Sequence, residues 1–122
     1  MSKIVHFEIP VDDPPRAIAF YRDALGWDIS GYGDERYWLV RAGAADEPGA
    51  DGALIARGDL HRSPVLVAGV GDIDATLGRV RAAGGEVVSD RAAVPGVGWA
   101  AYVRDPEGNV VGLFQPDEQA GG

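Results

Sequence analysis

The sequence predicts an α+β domain assembled from two βαβββ modules. Three observations predict it. Residues 3–9, "KIVHFEI", alternate with the period of a β-strand. Residues 12–26, "DDPPRAIAFYRDALG", carry the apolar spacing and the end signals of a helix. The same order of elements then returns 59 residues later, matching Val11 with Val70, Asp13 with Asp72 and Gly26 with Gly85.

Each element follows from its residues. In the opening strand Val5, Phe7 and Ile9 share one face, and Ile4, His6 and Glu8 share the other. In the first helix Asp13 is the N-cap, and Pro14 occupies the first turn, where a missing N–H costs nothing. Ala17, Ile18, Tyr21, Ala24 and Leu25 form its apolar face, and Gly26 suits the position just past its end. Short strands "WDIS", "YWLVRA" and "GALIAR" follow, separated by loops such as "AGAADEPGAD". The second module opens with the strand "SPVLVAGV" and the helix "DIDATLGRVRAAGG", capped by Asp72. Ile73, Thr76, Leu77, Val80 and Ala83 form the face of that helix, and "EVVS", "WAAYVR" and "VVGLFQ" close the module. Residues 1–122 thus read as one domain made of modules 1–59 and 60–122. The run Asp105 to Asn109, "DPEGN", is a tight structural turn, and the polar tail "PDEQAGG" is expected to fray.

Composition narrows the function. The formal net charge is −8, from 11 Lys and Arg against 19 Asp and Glu. Such a chain is a poor match for nucleic acid or an anionic membrane, both of which attract basic surfaces, and favours neutral or cationic ligands. The absence of cysteine removes disulfides, thiolate nucleophiles and thiolate metal sites. No apolar run approaches the roughly 20 residues of a membrane span, and the N-terminus has no secretory pattern. A cytoplasmic location is the expectation. Phosphate loops, nucleophile elbows, HExxH and dinucleotide fingerprints are all missing from the sequence.

The stretches "VHFEIPVDDPPRAIAFYRDALGW", "VGDIDATLGRVRAAGG" and "PGVGWAAYVRDPEGNVVGLFQPD" together resemble the vicinal oxygen chelate superfamily. That superfamily contains glyoxalase I, extradiol dioxygenases and bleomycin-resistance proteins, and the similarity is greatest to small bacterial proteins related to lactoylglutathione lyase. The resemblance implies a mixed sheet curled around a cup that holds a metal, a drug or a small substrate. It also implies a homodimer. If the chain is an enzyme, it implies a lyase or isomerase type. Fold alone does not choose among these.

In the family's metalloenzymes the ligands come from the first and last strand of each module. His6 matches the first position, and its repeat mate is Val65. Aligning "DGALIA" with "GNVVGLF" pairs Leu54 with Gly112, where the metalloenzymes usually carry Glu. Of His6, Leu54, Val65 and Gly112, only His6 has a donor, whereas a catalytic divalent site wants about three. A slip of one residue brings in Ala53, Ile55, Leu66, Val111 or Leu113, all apolar. No cofactor is therefore expected, although a divalent metal held by non-standard donors stays open. His61, in the polar loop "RGDLHRSP", reads as a solvated residue.

His6 and Glu8 are the candidate catalytic pair, about 7 Å apart along one strand face. Burial lowers the pKa of an imidazole, and an adjacent carboxylate raises it. The pair suits general acid–base chemistry on a small apolar or aromatic molecule, or else is a satisfied polar pair inside the domain. Tyr102, Trp38, Trp99 and Gly112 are the candidate ligand-binding residues. Trp38 and Trp99 read as occupying corresponding places in the two modules, where they stack on a planar ligand or pack the sheet. Three functions remain: a metal-free binder with acid–base chemistry, a drug- or metabolite-sequestering protein without catalysis, and a metal-dependent lyase, isomerase or dioxygenase.

Overall fold

A computed structural model describes residues 2–32 and 36–122. The elements run in the order β1 (Ile4–Val11), α1 (Pro14–Leu25), β2 (Asp28–Gly31), β3 (Tyr37–Arg41), β4 (Gly52–Ala56), β5 (Val65–Gly69), α2 (Ile73–Ala82), β6 (Glu86–Val94), β7 (Gly98–Arg104) and β8 (Val110–Pro116). This is βαβββ twice, in the α+β class. The chain divides into two compact units, His6–Val65 and the combination of Met1–Val5 with Leu66–Gly122.

In the unit His6–Val65, β2 and β3 pair antiparallel, β3 and β4 antiparallel, and β4 and β1 parallel. Its core is Val11, Val40 and Leu54, with Phe7, Ile9, Ile18, Tyr21 and Trp27 packed against it. Helix α1 starts where Asp13 accepts a hydrogen bond from the Arg16 N–H and ends at Gly26, which adopts φ 71°. The helix buries less than its sequence pattern predicts. Ala17, Ile18 and Tyr21 face the core, whereas Ala24 is exposed and Leu25 is 56% exposed. Tyr21 stacks on Trp27 at 4.8 Å, so the chain's return past Gly26 closes the core before the last helical turn can reach it.

The other unit repeats the scheme, with β6 and β7 antiparallel, β7 and β8 antiparallel, and β8 and β5 parallel. Its core is Ala68, Val70, Ile73, Leu77, Ala101, Val103 and Leu113. Asp72 caps α2 by accepting from the Ala75 N–H. The left-handed residue after α2 is Gly84, φ 93°, one position before the Gly85 that pairs with Gly26 in sequence. Ala83, placed on the helix face by its spacing, is exposed. Strand β6 is longer than "EVVS", because it stays paired with β7 through Val94 across two register irregularities. Exposed Asp90 and Arg91 interrupt the apolar pattern there and hide the strand from a periodicity reading.

The tail does not fray. The Asp117 N–H donates to the Val97 carbonyl, the Gly96 N–H donates to the Ala120 carbonyl, and Ala120 is 2% exposed. Tail residues without apolar bulk still dock here because backbone pairing holds them. Among the described residues no helix is long and apolar enough to cross a membrane.

Candidate functional site

Strand β1 places His6 and Glu8 on the same face, as alternation requires. Strand β3 contributes Tyr37, and the loop after β4 contributes His61. These four side chains form one hydrogen-bonded chain within the unit His6–Val65. His6 Nε2 lies 2.8 Å from Tyr37 Oη, which lies 3.2 Å from Glu8 Oε2. The other carboxylate oxygen, Glu8 Oε1, lies 2.7 Å from His61 Nε2. Glu8 is 5% exposed and His61 6% exposed, while His6 and Tyr37 are half-buried.

The proton positions follow from the donor inventory. A carboxylate only accepts, so the single Tyr37 hydroxyl proton goes to Glu8 Oε2. Tyr37 Oη can then only accept from His6, which places an N–H on His6 Nε2 and leaves Nδ1 with the lone pair. His61 Nε2–H donates to Glu8 Oε1 by the same logic.

Burial holds the pKa of His6 below its ordinary 6.5, although the charges of Glu8 and Asp51 pull the other way. The imidazole is therefore neutral at neutral pH. Burial also pushes the Tyr37 phenol above its ordinary range, and the Glu8 charge and hydrogen bond push in the same direction. Aromatic rings flank His6: Phe7 and Tyr37 each lie 6.5 Å from it, and Tyr32 lies 6.3 Å from Tyr37.

His61 corrects the sequence reading. It is a buried partner of Glu8 and not a solvated loop residue, and the loop is built to deliver it. His61 N–H donates to the Gly58 carbonyl, Arg57 Nε pairs with Asp12 at 3.0 Å, and Arg57 Nη1 donates to the Arg62 carbonyl at 2.8 Å. Tyr37 was missed altogether. Its only sequence signal is a hydroxyl-bearing aromatic at the start of a strand.

The strand registers give each site residue a counterpart in the other βαβββ repeat. Glu8 pairs with Ala53 across β1 and β4, just as Val67 pairs with Gly112 across β5 and β8. Tyr37 pairs with Ile55 as Ala100 pairs with Phe114. Glu8 with Val67, Ala53 with Gly112 and Ile55 with Phe114 keep the 59-residue offset, whereas Tyr37 and Ala100 stand 63 residues apart and are matched by register alone. The counterparts of His6, Glu8, Tyr37 and His61 are therefore Val65, Val67, Ala100 and Ala120, all apolar. The same registers match Leu54 with Leu113 and Gly112 with Ala53, one residue from the expected pairing. Trp38 faces Leu54 where Ala101 faces Leu113, so Trp38 corresponds to Ala101 and not to Trp99.

The remaining candidates lie as follows. Trp38 packs against the core of its unit, with the Arg36 guanidinium 6.0 Å from its ring. Tyr102, Trp99 and Gly112 belong to the other unit. Trp99 packs on that core, donates to Asp117 at 2.9 Å and lies under Arg91 at 4.3 Å. Tyr102 faces Gly112 across the β7–β8 pair.

A model of the Glyoxalase/Bleomycin resistance protein/Dioxygenase superfamily matches residues 3–113. The chain belongs to that superfamily. It is 30% identical over 115 residues to "Putative glyoxylase CFP32" of Mycobacterium tuberculosis, covering 92% of this chain but 43% of that protein. The chain thus spans less than half the length of that relative. It is also 30% identical to "Probable lactoylglutathione lyase" of Vibrio parahaemolyticus, covering 99% of this chain and 96% of that one. The Mn(II)-bound glyoxalase from Novosphingobium aromaticivorans shares the fold, with a TM-score of 0.64 and 23% identity over 99% of this chain and 42% of that chain.

The Novosphingobium aromaticivorans glyoxalase is Mn(II)-bound. Among the described residues no group of three or more His, Cys, Asp or Glu side chains is placed to hold a metal ion. Leu54 is fully buried in the core, Val65 is 2% exposed, and neither has a donor. At Gly112 a Cβ would meet Val67 Cγ2 at 2.9 Å, so the family's glutamate position is filled by the Val67 side chain. His6 Nε2 and both Glu8 oxygens are already committed to one another through Tyr37 and His61. These residues do not fit the family's metal.

Proposed function

We propose that this superfamily member binds a small apolar or aromatic molecule beside His6 and moves a proton on it without a metal. The supporting observation is the unbroken chain from half-buried His6 through Tyr37 to the buried Glu8–His61 pair. Neutral His6 takes a proton from the ligand at Nδ1. The resulting imidazolium donates through Nε2 to Tyr37, whose hydroxyl remains hydrogen-bonded to the Glu8 carboxylate, and that charge stabilises the cation. Return of the same proton to another ligand atom gives an isomerisation that needs no oxidant or reductant. Names of relatives, lactoylglutathione lyase among them, suggest carbonyl-containing ligands with an acidic C–H.

The test is a thermal-shift screen of small carbonyl and aromatic compounds, followed by turnover with each hit. His6→Ala is expected to abolish turnover, and wild-type turnover in that variant would refute the assignment. A second reading, sequestration without chemistry, draws on the fact that no buried side-chain N or O among the described residues lacks a partner. Under it, hits are recovered unchanged. The superfamily relationship also leads us to propose a homodimer, which light scattering showing only a 12.8 kDa species would remove.

A further inference from the structure

We infer that His61 is a positioning residue of this site, acting through Glu8; the inference rests on the acid–base reading of His6. Its basis is the contrast between two copies of one structural position. After β4, the His61 N–H donates to the Gly58 carbonyl at 3.1 Å; after β8, the Ala120 N–H donates to the Asp117 carbonyl at 3.1 Å. His61 and Ala120 are both buried, at 6% and 2% exposure. The fold thus builds the same inward turn twice. Alanine satisfies it in the second βαβββ repeat, where the matching strand positions are Val65, Val67 and Ala100. An imidazole appears only in the unit that also carries His6, Glu8 and Tyr37. The fold does not require a polar side chain at this turn, so the histidine answers to the carboxylate.

Geometry states what it does. A glutamate carboxylate has a broad terminal torsion and turns readily unless both oxygens are held. His61 Nε2–H holds Oε1 at 2.7 Å, which leaves Oε2 as the fixed acceptor for Tyr37 at 3.2 Å. That fixes the Tyr37 hydroxyl proton away from His6, and Tyr37 Oη becomes the acceptor for His6 Nε2–H at 2.8 Å. The imidazole is then held with Nδ1 unprotonated. Arg57, tied to Asp12 and to the Arg62 carbonyl, anchors the loop that carries His61.

The experiment uses proton NMR of the wild-type protein and two variants, reading the exchange-protected Tyr37 hydroxyl and His6 Nε2–H resonances. His61→Leu keeps buried bulk without a donor, and His61→Gln keeps an N–H donor. We expect both resonances in the wild type, their loss to water exchange in His61→Leu, and their recovery in His61→Gln. Persistence in His61→Leu would overturn the inference, since packing alone would then hold the chain. Loss in both variants, absence in the wild type, or failure of both variants to fold would overturn it equally. The reading is independent of turnover. A protein that shows the expected resonances yet converts no ligand would sink the functional proposal while keeping the hold of His61 on Glu8, so the two failures are told apart.

Discussion

The pH behaviour of the domain is set by single residues. The unfolded chain protonates His6 near its ordinary pKa of 6.5, while the folded chain holds it neutral to lower pH. In that window the unfolded state binds more protons, so stability is full above about pH 6.5 and falls as pH drops below it. Tyr37 acts at the other end. Its folded pKa lies above the ordinary 10.0, so the unfolded phenol ionises first and stability falls as pH climbs past about 10. Urea midpoints across pH are expected to show both limbs, with Tyr37→Phe flattening the alkaline one. At neutral pH, Tyr37→Phe removes the hydroxyl that links His6 Nε2 to Glu8 Oε2, a loss of about 1–3 kcal/mol readable in the same urea titrations. An unchanged midpoint would mean that water replaces the hydroxyl. Half of this site was legible in the sequence: His6 and Glu8 share a face because strands alternate. Tyr37 and His61 were not, because they reach β1 across 31 and 53 residues of chain. Contacts that distant leave no local period to read.

The elements were legible where local rules set them. Asp13 and Asp72 cap their helices as the sequence indicates, because a side chain facing its own backbone two or three residues on needs no tertiary help. Asp13→Ala and Asp72→Ala are each expected to lower stability by about 1 kcal/mol, measured by thermal or urea unfolding. Tertiary contacts decided the rest. The pairing of β6 with β7 carries a strand through exposed Asp90 and Arg91, and backbone bonds to Gly96 and Val97 dock a tail that composition alone would leave free. The buried Ala120 tests that docking. Ala120→Glu introduces an unpaired charge at a 2% exposed position and is expected to release the tail. The readout is a gain in amide hydrogen exchange at Gly96, whose N–H is bound to the Ala120 carbonyl. Unchanged protection of Gly96 would refute the docking.

At the scale of the whole molecule, a repeated fold has been given two different interiors. Both repeats run βαβββ with matching registers among their first, third and fourth strands, yet the four polar positions of one are Val, Val, Ala and Ala in the other. A catalytic divalent site wants about three side-chain donors, and Val65, Val67, Ala100 and Ala120 supply none. Elemental analysis of untagged protein, incubated with Mn, Fe, Co, Ni or Zn and then desalted, is therefore expected to find far less than one equivalent. Restoring the family's glutamate by Gly112→Glu alone is not expected to change this. Its Cβ would first have to displace Val67 Cγ2, 2.9 Å away, and Val65 would still offer no donor. Near-stoichiometric metal in the wild type that is lost in His6→Ala would reverse the argument. The His6–Tyr37–Glu8–His61 chain would then have to open on metal binding, with the donors it now satisfies internally turned to the ion.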